Sequence, residues 1–479
     1  MAEILLIDTN TTPFNEAFPV YPIGLDYLQG ALARQGLGRA ELLDLTRGGG
    51  PLPRPDLAER QARSLALIKD RLAGRAWDVI GLSLRNIDST FPLPEGDPNL
   101  HYFLPQLSAY LDCVQGHAGP GAQVILGGTA FSMMPEAFLA GRPATWRGIV
   151  GPAETALPEL VQDLAAGREV ARVSRRAPQG LGTLQNSALL ASYLGLPVSE
   201  STFGLRTKVG CGQACGYCPY PLINGPGQVL KTPGAVVEEI AFLAAAQDGG
   251  PRGQGLRFMF ADDIFNRPLE HAKAVLRAML ERESLPASWH AYLDPGNLDQ
   301  EFLELICQTN GWSRRIDDQG VSRRVMFFPF DIESGCDRIL ARLRKPYTSQ
   351  KILAAVQAFR EVTGRWLESG RLYRAGFGFH LLLGYPGEDE GSVAETCRLI
   401  NQTRPLQIAV QLGVRVYPGT PLAKETKGQV WREEQDLNRP TFAPLDDRAV
   451  LEWLRQHLDE SYDRLARRGN MLLISQGDN

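Results

Sequence analysis

Histidine is scarce, with six in 479 residues, and no stretch of about 18 consecutive apolar residues occurs anywhere in the chain. The second absence excludes a helical membrane span. The N-terminal MAEILLIDTN also lacks the basic stretch and apolar core of a leader, so a cytoplasmic location without membrane contact is expected. Charge of one sign is lacking too. Fifty Lys and Arg stand against 54 Asp and Glu, interspersed and leaving a net charge of −4, so nothing provides the basic face that nucleic acid requires of a partner. Internal repeats and low-complexity blocks are absent, and 44% hydrophobic with 22% charged residues excludes a disordered or fibrous chain. The seven cysteines are odd in number, and Cys113, Cys307, Cys336 and Cys397 are scattered through apparent core elements. Reduced thiols fit this pattern better than a disulfide framework.

What is present is length and alternation, which predict an α/β chain of more than one domain. Residues 1–165 alternate apolar runs (Glu3–Asp8, Ala40–Leu45, Asp78–Leu84, Ala122–Leu126, Arg147–Val150) with amphipathic stretches near 22–35, 57–74, 105–116, 133–140 and 154–165. Strands crossing over through helices predict a doubly wound, flavodoxin-like domain. Residues 166–200 carry Arg168, Arg172, Arg175 and Arg176, then Gly and Pro without periodicity, and are assigned as a linker. A second series over 201–425 has strands near 203–208, 256–260, 288–293, 325–330, 376–383 and 408–416, the six strands of a partial (β/α)6 barrel. Its helices are placed near 233–247, 268–282, 299–308, 348–362 and 390–402. In the fourth of these, Ile352, Val356 and Phe359 recur at helical spacing and Thr348 is placed to cap. Residues 311–324 read as a polar insertion and 426–479 as a short, mainly helical C-terminal tail.

The sharpest motif is Cys211, Cys215 and Cys218, a Cys-x₃-Cys-x₂-Cys group after the strand FGLRTK in a loop holding Gly210, Gly212 and Gly216. Glycines let such a loop wrap tightly. Three thiolates suit a [4Fe–4S] cube with one iron left open. Structural zinc, the competing reading, needs four ligands, and no second Cys/His pair is evident.

CGQACGYC, with Tyr217 in the aromatic position, resembles the signature of the radical S-adenosylmethionine (SAM) superfamily. FMFADDIFN (258–266), FDIESGCDRIL (330–340), HLLLGYPGEDE (380–390) and VRVYPGTPL (414–422) extend the resemblance at or just beyond predicted strand ends. It implies that the open iron chelates SAM, with Tyr217, Asp262, Asp263, Glu333, Ser334, Gly384 and Val416 near it. As residues alone, Asp262, Asp263 and Glu333 are equally ordinary loop carboxylates.

In the N-terminal domain ligands belong beyond the strand ends. There Thr9, then Ser83, Leu84, Arg85 and Asn86 in SLRNIDST, Gly127, Gly128 and Thr129 in GGTAFS, and Gly151, Pro152 and Glu154 in GPAET supply small residues, hydroxyls and one Arg. No G-x-G-x-x-G follows the first strand, which argues against NAD or FAD. The arrangement resembles the cobalamin-binding domain found ahead of radical SAM barrels, over roughly residues 1 to 425. No D-x-H-x-x-G motif supplies a lower His to cobalt, and neither His101 nor His117 has a suitable loop context. The SLRNID loop resembles that of tryptophan methylases of the thiostrepton pathway, which implies Arg85 beneath cobalt; otherwise Arg85 is solvated or paired with Asp88. The long connection 89–105 is a candidate contact to the barrel.

The joint resemblance is to cobalamin (B12)-dependent, class B radical SAM methyltransferases. It implies transfer of a methyl group from SAM through methylcobalamin to an unactivated carbon of a small natural-product or peptide substrate, with an electron donor such as flavodoxin or ferredoxin. Rearrangement, cyclisation or ring contraction with the same cofactors is the nearest alternative, as is polar methyl transfer without a 5′-deoxyadenosyl radical. A methylthiotransferase would need three further cluster cysteines in the first domain, where only Cys113 stands.

Overall fold

The computed structural model describes residues 2–9, 20–45, 57–85, 87, 104–176, 179–193, 203–225, 227–247, 256–282, 288–309, 314–316, 322–428, 443, 446–468 and 471–476. The alternation of the first 165 residues becomes β1 (Ala2–Asp8), α1 (Ile23–Arg34), β2 (Gly38–Asp44), α2 (Leu57–Ala73), β3 (Val79–Ser83), α3 (Leu104–His117) and β4 (Gln123–Gly127). Two short helices, α4 (Thr129–Met133) and α5 (Pro135–Leu139), then lead to β5 (Arg147–Val150) and α6 (Ala156–Ala165). A sixth strand, β6 (Val173–Arg175), pairs parallel to β5 inside the expected linker and extends the sheet to the order β2-β1-β3-β4-β5-β6. Its three residues, VSR, are too few to show alternation. Both faces of this sheet are covered: Leu5, Ile7, Ile80, Leu82 and Leu126 pack one side and Ile4, Leu6, Val79, Ile125 and Ile149 the other. Strands buried on both faces read as continuous apolar runs. The order reverses between β1 and β3, and the crevice past their carboxyl ends is where such sheets bind ligands.

The rest of the expected linker holds α7 (Ser187–Tyr193). The first barrel strand, expected as one piece, is split into β7 (Gly204–Leu205) and β8 (Lys208–Val209). After these come α8 (Tyr220–Asn224), β9 (Val229–Leu230), α9 (Pro233–Gln247), β10 (Arg257–Phe260), α10 (Leu269–Glu281), β11 (Ser288–Ala291) and α11 (Gln300–Gln308). The polar insertion forms β12 (Arg314–Ile316), antiparallel to the start of β13 (Ser322–Glu333). Next are α12 (Asp337–Arg342), α13 (Ser349–Glu368), β14 (Arg374–Leu383), α14 (Glu390–Thr403), β15 (Gln407–Leu412) and α15 (Pro421–Thr426). Strands β7, β10, β11, β13, β14 and β15 are the six of the partial barrel, in the ladders β11-β10-β7 and β13-β14-β15.

Beyond residue 426 the expected helix is α16 (Asp447–His457). A hairpin not foreseen, β16 (Arg464–Arg468) and β17 (Met471–Ser475), closes the open side by pairing β17 antiparallel to β15. Thr348 occupies the N-cap position of α13 without making a side-chain cap. Asp337 Oδ1 accepts from Ser349 N at 2.6 Å instead, so the orphan donor is met from α12. The expected cap chemistry does appear at α14, where Asp389 and Ser392 form a capping box.

Candidate functional site

The cysteine loop begins where the first barrel strand breaks. Val209 pairs with Val229 and Lys208 with Leu230, so β8 and β9 clamp the base of a loop running from 210 to 228. Gly210 has φ +85°, and a Cβ there would strike the Gly227 carbonyl oxygen, which reserves the position for glycine. Gly216 N donates to Leu343 O at 2.9 Å and its carbonyl accepts from Leu422 N at 2.9 Å, fastening the loop to α12 and α15. Gln213 N donates to Cys211 Sγ and Cys215 Sγ donates to Gln213 Oε1, each at 3.3 Å. Burial pushes all three thiols up, Cys218 to about 12.

Among the described residues, no three His, Cys, Asp or Glu side chains converge as a single metal ion requires. Three thiols in one eight-residue loop, with no fourth ligand beside them among the described residues, are the donor set of a [4Fe–4S] cluster with one iron open, whereas structural zinc calls for four ligands.

Beside the loop lies a buried polar group. Tyr217 Oη donates to Glu333 Oε1 at 2.8 Å, Tyr347 Oη donates to Glu333 Oε2 at 2.9 Å, and Lys345 forms an ion pair with Glu333 and reaches Tyr217 Oη at 3.2 Å. Burial works against the Lys345 ammonium, but the facing Glu333 carboxylate holds its pKa above the usual range. Glu333 itself has φ +55°, an αL conformation unusual for a long side chain, at an irregularity in the β13–β14 ladder. Lys345 and Tyr347 were not anticipated from sequence, since no motif marks them and their approach to Glu333 depends on the turn of chain through α12.

The other expected SAM residues divide. Asp263 accepts from Asn224 Nδ2 at 3.0 Å and is placed toward Cys211 and Cys218, and burial raises its carboxyl. Asp262 is instead engaged within the barrel wall: Oδ1 accepts from Thr207 N at 2.9 Å and Lys208 N at 3.1 Å, and Oδ2 faces Lys208 Nζ at 3.3 Å. Ser334 is fully buried, its hydroxyl 3.3 Å from Thr396 Oγ1 and accepting from Cys336 N. Val416 is buried among Cys336, Tyr385 and Leu422. Gly384 has φ +104°, and its N–H donates to Glu388, a carboxyl that burial raises to about 7.

The N-terminal sheet carries a cavity of about 310 Å³ at its carboxyl edge. Ser83, Arg85, Gly127, Gly128, Thr129, Gly151, Pro152 and Glu154 line it, eight of the expected cobalamin residues. Leu84 is buried, and Thr9 donates its hydroxyl to Ser83 O at 2.7 Å, so both shape the loops from behind. Asn86, Asp88, His101 and most of the 89–105 connection lie outside the described residues. Among the described residues no His lines the cavity, and His117 Nδ1 is bound to Cys113 O on α3. A Cβ at Gly128 would stand 2.5 Å from Leu84 O, and one at Gly151 2.6 Å from Ile223 O. Glycine therefore creates the cradle, and Ser132 ties its two loops by donating to Gly128 O and accepting from Gly151 N. Below it Leu6, Gly81, Leu82, Ile125 and Ile149 form an apolar slot suited to a planar aromatic tail. The small residues, hydroxyls and apolar slot that line it fit cobalamin.

Barrel residues complete this cavity: Arg206, Ile223, Asn224 and Ala261 line it. Arg206 forms an ion pair with Glu154 and lies 4.8 Å over the Tyr27 ring. Tyr27 Oη accepts from Arg206 N at 3.0 Å and from Lys231 Nζ at 3.3 Å, while Lys231 pairs with Glu239 at 2.7 Å. Tyr220, 42% exposed, feels Asp263 and Cys218 on one side and Arg85 on the other. The two candidate pockets thus open toward one space.

No family model matches the chain. It is 24% identical over 370 residues to the tRNA-2-methylthio-N(6)-dimethylallyladenosine synthase of Mycolicibacterium paratuberculosis, covering 74% of this chain. The Mycobacterium avium synthase of the same name is 23% identical over 372 residues, 75% of this chain. The chain spans only 61% and 44% of the length of these curated relatives. Among solved structures, the radical SAM methyltransferase TsrM from Kitasatospora setae, with tryptophan substrate and the SAM analogue aza-SAM bound, aligns with a TM-score of 0.66 at 20% identity, covering 99% of this chain and 86% of that one. The cobalamin-dependent SAM radical enzyme OxsB, with aqua-cobalamin and SAM bound, gives 0.65 at 14% identity over 95% and 66%. The chain shares their fold, an N-terminal doubly wound sheet followed by a partial barrel.

Proposed function

We propose that the chain is a cobalamin-dependent radical SAM enzyme that moves a methyl group from SAM, by way of methylcobalamin, to an unactivated carbon of a small natural-product or peptide substrate. One observation carries this reading. Ile223 and Asn224, which follow Cys218 on α8, form a wall of the N-terminal cavity, so the cysteine loop and the cradle share a boundary. TsrM and OxsB, solved with such cofactors, have the same fold.

When bound, the cluster supplies an electron and an open iron for SAM, and cobalamin carries the methyl group. The chain's own residues hold and orient. Cys211, Cys215 and Cys218 would hold the cluster; Glu333, fixed by Lys345, Tyr217 and Tyr347, would offer a polar edge to SAM; Arg85, which lines the cavity, would supply a cation beside cobalamin. Asp263 and Gly384 border the same mouth. Tyr27 and the Arg206–Glu154 pair fix the distance between the two cradles, the positioning on which transfer between bound groups depends. We assign the electron donor as a flavodoxin or ferredoxin and the setting as cytoplasmic; no described helix is long and apolar enough to cross a membrane.

The curated relatives suggest methylthiolation of tRNA as a second reading. It requires three cluster cysteines in the N-terminal unit, where Cys113 stands alone on α3, buried with Sγ 3.8 Å from Leu65 O. Polar methyl transfer and non-methylating rearrangement keep the same site and differ in products. The deciding experiment is anaerobic reconstitution with iron, sulfide and cobalamin, then reaction with methyl-deuterated SAM, reductant, tryptophan and metabolites of neighbouring pathways, read by mass spectrometry. A labelled methyl on carbon is expected. Matched 5′-deoxyadenosine identifies the radical route, its absence the polar one, and rearranged product without label overturns methyl transfer.

A further inference from the structure

The barrel lumen holds a titratable pair that neither cradle uses. On β14, Phe377, Phe379, Leu381 and Leu383 point toward the helices and pack in the barrel core, so period-two alternation turns His380 to the lumen. There its side chain keeps 48% of its surface, an uncommon state for a central strand. Asp331 on β13 is its register partner, and His380 Nδ1 lies 2.7 Å from Asp331 Oδ1. Asp331 is held in turn, because Tyr347 Oη donates to its carbonyl at 3.1 Å. Two further titratable groups face the pair: Glu333 on β13, itself tied to Lys345, and Tyr292 after β11, 48% exposed. Burial opposes the charged ring, but the Asp331 hydrogen bond and carboxylate raise the His380 pKa above its ordinary value. Tyr292 neighbours both Asp331 and Tyr220, so the pair opens on the space between the two cradles.

We propose that His380, oriented by Asp331, is the proton acceptor of the lumen, and that the substrate is a small molecule carrying an ionisable X–H group in conjugation with the carbon that takes the methyl group. The inference rests on the polar form of the methyl-transfer reading above, in which the accepting carbon is nucleophilic. With Nδ1–H donated to Asp331, the Nε2 lone pair faces the lumen. The substrate X–H bond breaks, its electron pair stays on X, the proton goes to Nε2, and Asp331 balances the imidazolium. No oxidant or reductant enters the step. His380 is the catalytic residue and Asp331 a positioning residue.

The test has two arms on the holoenzyme. With ¹⁵N-histidine label, NMR should find one ring, absent in H380Q, with Nε2 unprotonated at high pH, a midpoint above about 6.5, and a midpoint that falls in D331N. The opposite tautomer, or a midpoint unmoved by D331N, overturns the proposal. In the methylation assay H380A should lose about 100-fold in rate, imidazole should restore part of it, and D331N should move the acidic limb of the pH profile down. Wild-type rate in H380A overturns the proposal and leaves methyl transfer standing. If the wild type gives no methylated product, methyl transfer falls, while the NMR arm still decides the dyad.

Discussion

At the barrel mouth the Lys345–Glu333 pair is closed in by Tyr217 and Tyr347, whereas the N-terminal cavity is lined by Leu6, Ile125, Ile149 and the glycines 81, 127, 128 and 151. The mouth is assembled before any ligand arrives: its charges are paired and its donors matched, so it presents fixed polar groups to a small charged molecule. The cavity is shaped by atoms left out, and a missing Cβ leaves room without supplying direction. Under the proposed reading, a compact polar ligand and a bulky planar one would be met by opposite strategies, joined along α8.

The largest expected effect separates the two. C215S should abolish the visible absorption of the cluster and drop bound iron from about four per chain to less than one, with cobalamin still retained by the N-terminal unit. G81I tests the converse. Its branched side chain would press on Leu6, where even a Cβ comes within 2.8 Å of Cδ2, and fill the apolar slot. Cobalamin affinity should fall by about 100-fold at unchanged iron content. Loss of both cofactors in either variant would break the comparison.

The joint between the regions gives the next effect. E154Q leaves the Arg206 guanidinium without its carboxylate under a largely buried roof, and unfolding by urea should show a loss of about 3 kcal/mol. The smallest concerns Glu388, whose carboxyl rises from 4.5 to about 7 on burial and whose Oε1 has no partner among the described residues. Because the folded-state value lies above the unfolded one, its stabilising contribution is complete below about pH 4.5 and disappears as pH climbs through about 7. E388Q should flatten that decline, on the order of 3 kcal/mol between pH 4 and 8. Parallel pH curves for the two proteins would reject the assignment.

What the chain disclosed in advance follows the same division. Three thiols in eight residues state their chemistry by residue type and spacing, and six apolar strands with intervening helices state the barrel. The cavity loops were legible because doubly wound sheets bind ligands past their strand ends, and eight of the eleven residues named there line it. Lys345, Arg206 and Asn224 were not legible, since each acts on a partner brought near only by folding. Strand β6 was hidden by its length, and β16 by its composition: Arg-Leu-Ala-Arg-Arg favours helix locally, and pairing with β17 overrides it. Thr348 was placed correctly at a helix start, but the bond it was expected to make comes from Asp337.

Tyr27 belongs to α1 beside the N-terminal sheet, yet among the described residues the polar partners of its hydroxyl, Arg206, Lys231 and Glu239, lie in the barrel half. Neither half is therefore a free-standing module. A chimera that grafts a foreign N-terminal unit onto this barrel must carry the tyrosine with it, or else replace Lys231, Glu239 and Arg206 together. Exchange of substrate range between such enzymes is accordingly easier by changing loops within both halves than by swapping either whole.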